Sequence, residues 1–166
     1  MSATGLEVLD KSIQTTNIWL NDISDQVGPD RQLAWHVLGV VLRALRDRLP
    51  VDDAAHLAAQ LPLVIRGTFY EQYRPAIQPE DIRTREEFVA KVAKDLQNVR
   101  PIDPVEAIQA VFATLQAHIP EGQTSKTRSA LPEDIRNLWP TKSAVGTPPP
   151  NRSTGGAGEK RRAPNA

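Results

Sequence analysis

The sequence predicts an all-α fold, on three observations. Apolar residues recur at helical spacing through most of the first 140 positions. Residues that start and stop helices bracket those stripes: Asp30, Thr84 and Asp103 before them, Gly28, Pro50 and Pro120 after them. No segment shows the strict alternation or the β-branched clusters of a strand. The expected architecture is a compact helical bundle over residues 1–140, built from two related halves (about 9–75 and 84–140). A disordered basic tail, 141–166, follows it.

In chain order, Leu9, Ile13, Trp19, Leu20, Ile23 and Val27 mark a first helix stopped by Gly28. Asp30 caps the second, whose stripe is Leu33, Val37, Leu38, Val41, Leu42, Leu45 and Leu49; Pro50 ends it. Asp52 or Asp53 is the expected cap of a short helix over Ala54–Gln60. Pro62 is then expected at the first position of a helix reaching about Tyr73, with a loop around Pro75 and Pro79. Thr84 with Glu87 forms a capping box for Glu86–Gln97. Asp103 and Pro104 open a helix that ends at His118, before Pro120. A weak helix over Thr124–Ala130 and a last one over Pro132–Leu138 complete the set.

The halves are read from an internal repeat. Leu61-Pro62 and Ile65-Arg66 recur as Leu131-Pro132 and Ile135-Arg136, each at an offset of 70. Val41, Leu42, Leu45, Leu49 and Pro50 match Val111, Phe112, Leu115, Ile119 and Pro120 at the same offset. Upstream, Trp19, Leu20, Ile23 and Val27 match Phe88, Val89, Val92 and Leu96 at an offset of 69. Units of this length exceed the usual helical arrays of about 50 residues or fewer. Two copies fit better as halves of one bundle, each covering the other's apolar stripe.

Composition narrows the function classes. The chain is 40% hydrophobic and 24% charged, normal for a globular protein. The absence of Cys removes disulfides, thiolate zinc sites and cysteine nucleophiles together. The N-terminus lacks a signal-peptide pattern, and the longest apolar window, Leu38–Leu45, is interrupted by Arg43. A soluble, cytoplasmic protein with no membrane span is expected. The formal charge is zero, but residues 141–166 carry +4 (Lys142, Arg152, Lys160, Arg161 and Arg162 against Glu159), leaving −4 on residues 1–140. An acidic body offers no footprint for nucleic acid.

His56-Leu57-Ala58-Ala59-Gln60-Leu61-Pro62 followed by Arg66-Gly67-Thr68-Phe69-Tyr70 resembles the hallmark block of a bacterial family, domain of unknown function 2267. Trp19-Leu20, Leu45-Arg46-Asp47-Arg48-Leu49 and Leu131-Pro132 fit the same resemblance, which spans roughly Leu9 to Pro140. It implies a small helical domain of two related halves. It carries no established activity, ligand or catalytic residue.

The residues themselves point to no catalytic constellation, no metal site and no cofactor. His36, His56 and His118 lack metal-ligand spacing. No serine sits in a nucleophile elbow, and no glycine-rich loop joins a strand to a helix. The carboxylate pairs Glu86-Glu87, Glu80-Asp81 and Glu133-Asp134 fall in loops or first helical turns, where they favour helix N-termini. Arg66 and Arg136, at matched positions, read as structural arginines held by carboxylates or helix-end carbonyls; alternatively they clamp an anion between the halves. Arg66, Phe69, Tyr70, Tyr73 and Arg74 are the candidate surface patch, since Tyr and Arg dominate recognition surfaces. The competing reading packs one or more of the tyrosines with its hydroxyl at the surface. The functional expectation is a non-enzymatic interaction or scaffold module with an unknown protein partner. The alternative is a sensor of an apolar or anionic small molecule, with a cleft between the halves near Arg66 and Arg136.

Overall fold

The structure, a computed structural model, describes residues 3–97 and 100–141. The tail expected to be disordered lies outside the described residues, apart from Thr141. Among the described residues there are eight α-helices and no strand: α1 Glu7–Val27, α2 Arg31–Arg48, α3 Val51–Ala59, α4 Leu63–Phe69, α5 Arg85–Asp95, α6 Pro104–His118, α7 Glu121–Ser129 and α8 Glu133–Arg136. A 3-10 turn, Pro75–Ile77, interrupts the link from α4 to α5, and the Gln78–Pro79 peptide is cis.

Local chemistry sets the helix starts. The Asp30 carboxylate accepts from the backbone N–H of Gln32 and Leu33, and Asp103 from that of Val105. Thr84 and Glu87 form the reciprocal capping box. Gly28 closes α1 at φ 114°, a backbone angle unfavourable for any residue with a Cβ.

Several boundaries differ from the sequence expectation. Asp52 and Asp53 do not cap α3. Pro50 stands at its N-cap with its carbonyl accepting from Ala54, and both carboxylates sit inside the first turn. Pro62 and Pro132 likewise precede their helices rather than open them, at φ −55° and ψ 149°, and φ −54° and ψ 149°. Proline's fixed φ suits that position, and its C=O supplies the first helical acceptor. α7 starts at Glu121 rather than Thr124, because Pro120 plays the same part there. α5 and α8 are shorter than expected, and α4 stops at Phe69 rather than near Tyr73.

α2 and α6 lie at the centre. α1 packs on α2, α4 and α6; α5 packs on α2, α6 and α8; α3 packs on α7. One continuous core results, with Trp19, Leu38, Leu45, Leu61, Ile65, Phe69, Phe88, Phe112 and Ile135 essentially without exposure. Ile13 is not part of it. It is 43% exposed, and Ser12 and Thr16 are buried instead. The Ser12 hydroxyl accepts from the Val64 backbone N–H, so α1 turns a polar edge toward the start of α4.

Candidate functional site

Arg66 and Arg136 are both spent on helix ends. Arg66 Nε donates to the Ala58 carbonyl at 2.8 Å, and its Nη2 to those of Leu61 and Ala59 at 3.0 and 3.3 Å. Arg136 Nε donates to the Arg128 carbonyl at 3.1 Å, and its Nη2 to that of Leu131 at 3.0 Å. Each guanidinium thus closes the C-terminus of the short helix before it, satisfying carbonyls that the helix leaves without partners. Both Arg136 bonds match Arg66 bonds at the offset of 70, the Arg66–Ala59 contact alone having no counterpart, and the bounds of α3 and α7 differ by the same 70.

The five-residue aromatic and arginine group does not come together as one surface. Phe69 is fully buried in the core. Tyr73 is bound into a polar network: its hydroxyl donates to Gln78 Oε1 at 2.6 Å, and the Arg46 guanidinium carbon lies 5.1 Å from its ring centroid. Burial raises the Tyr73 pKa above the ordinary phenol value. Tyr70 and Arg74 are exposed, and Tyr70 meets the Tyr73 ring edge-on at 5.4 Å.

Arg46 organises this region. It is only 2% exposed. Its Nη1 donates to the carbonyls of Phe69 and Glu71, both at 2.7 Å, and its Nε to Asp47 at 2.9 Å. Gln78 Nε2 donates back to the carbonyls of Arg46 and Leu49 at 2.7 and 2.8 Å. Lys91 on α5 completes the set, 3.4 Å from Asp47 and 2.7 Å from Glu80. One turn away, Arg43 donates to the Thr68 hydroxyl at 2.9 Å, and burial lowers its pKa. Gly39 makes room for that contact, since a Cβ there would stand 2.8 Å from Arg43 Nη1.

The histidines are dispersed. His118 pairs with Asp22 and stacks on Trp19 at 5.4 Å, joining α6 to α1. His36 approaches the Asp95 carbonyl at 3.3 Å. Among the described residues no three His, Asp or Glu side chains gather where a metal ion could be held. No helix there is long and apolar enough to cross a membrane.

A larger concavity than any beside these residues lies elsewhere among the described residues. A cleft of 730 Å³ opens between the end of α1, the outer face of α6, α7 and the residues after α8. Ala113 and Ala117 face it from α6, flanked by Gln109 and Gln116; Arg128 stands on the α7 wall, and Trp139 lines the opposite side. The Trp139 ring is stacked on Phe112 at 4.3 Å, which fixes its plane. Trp139 is 5% exposed, yet its Nε1 has no acceptor, and the buried Gln116 Oε1 has no donor. Buried polar atoms are nearly always paired, so two orphans along one cleft set it apart from ordinary surface. A shallower depression of 270 Å³ shares Gln26, Ala113 and Ala117 and carries the concavity on to Asp22 and Asp25. Arg136 lines neither depression, but its bond to the Arg128 carbonyl holds the end of α7 that carries one wall.

Arg66 lines a separate, more open groove of 440 Å³ with Lys11, Ser12, Leu63 and His118. Arg66 and Arg136 therefore share none of these three depressions. Sequence reasoning passed over Gln109, Ala113, Gln116 and Ala117. Their signal is a stripe of small and amide residues on α6, opposite Ile108, Val111, Phe112 and Leu115.

The chain belongs to the family described as "Uncharacterized conserved protein (DUF2267)", whose profile matches residues 16–138. No curated protein matches it.

Proposed function

We propose that this DUF2267 domain is a non-enzymatic interaction module whose partner docks in the cleft between α1, α6 and α7. The carrying observation is the buried, unpartnered pair Trp139 Nε1 and Gln116 Oε1 along a 730 Å³ cleft. Leaving such groups unpaired costs on the order of 1–3 kcal/mol each, a cost removed by an occupant whose docking shifts the cleft wall enough to bring them into reach. The groups around the cleft are amides, hydroxyls, one guanidinium (Arg128), one carboxylate (Glu121), the Trp139 indole and small apolar side chains, a mixture that suits recognition.

A second reading places the partner on the α4 surface, where Leu63, Val64 and Tyr70 are 49%, 38% and 37% exposed. The two are separated by screening the full chain against a random displayed peptide library, then re-testing the binders on variants. Ala117→Trp fills the cleft from an exposed position, and Tyr70→Ala truncates the α4 surface. Loss of binding in Ala117→Trp with retention in Tyr70→Ala supports the cleft. The reverse pattern moves the site to α4, and a library that yields no binder overturns the docking reading.

A further inference from the structure

We draw no further inference here: the strongest candidate, the outer face of α6 that floors the cleft between α1 and α7, belongs to the site already described, and nothing among the described residues shows what covers it.

Discussion

Replacing Arg46 by Met removes the charge and all its hydrogen bonds while keeping a long apolar stem. The side chain is 2% exposed and donates to Phe69, Glu71 and Asp47 at 2.7, 2.7 and 2.9 Å. Nothing nearby replaces these bonds, and water reaches the site poorly. Asp47 keeps Lys91 at 3.4 Å, so it is not left wholly uncompensated. Breaking a buried charged pair by deleting one partner costs about 3–5 kcal/mol, a large part of a typical domain stability of about 5–15 kcal/mol. With a urea slope of about 1–3 kcal/mol per molar, the unfolding midpoint should fall by roughly 1–5 M. Urea unfolding followed by far-UV circular dichroism measures it, with Arg85→Met as a control at an exposed α5 position that should stay within about 0.5 kcal/mol. Arg46→Lys should fall between them, because an ammonium lacks the planar fork that reaches both carbonyls and Asp47. An Arg46→Met loss under about 1 kcal/mol would refute the view that this side chain anchors the stretch after α4.

Three further outcomes are expected. Leu61→Ala and Ile65→Ala, at buried positions, should each cost about 2–5 kcal/mol. Tyr70→Ala, on the surface, should cost less than about 1.5 kcal/mol, and denaturation of all three single variants orders them. Tyr73 has a raised pKa when folded, so its contribution is fully present below the free phenol value of about 10 and is lost as pH rises through the folded value. Stability measured from pH 9 upward (about one unit below that value) should decline less steeply in Tyr73→Phe than in the parent. Expressed separately, 1–80 and 81–140 should show no cooperative thermal transition, because α2 packs on α6 and Trp19 stacks on His118 across that division. A sharp transition in either fragment would show two independently folding units.

What the sequence disclosed follows the range of the forces involved. Asp30, Thr84 with Glu87, and Asp103 with Pro104 act within one helical turn, so their caps could be read directly and stand where expected. The end of α4 could not. Its apolar pattern continues to Tyr73, but Arg46 claims the carbonyls of Phe69 and Glu71 from 23 and 25 residues away, and Gln72 turns to φ 55°. A helical continuation would have kept those carbonyls for its own ladder. The same long-range capture ties the half-buried Tyr73 into a polar network, while Phe69 goes to the core by packing. Arg66 and Arg136 were visible as a repeated pair, yet only the folded chain shows each of them closing its own helix end. The cleft was the least legible feature, because it depends on what differs between matched positions. Ala113 and Gln116 are unremarkable on an amphipathic helix until they are set against Arg43 and Arg46. The latter two hold backbone, whereas the former leave Gln116 Oε1 and Trp139 Nε1 without partners.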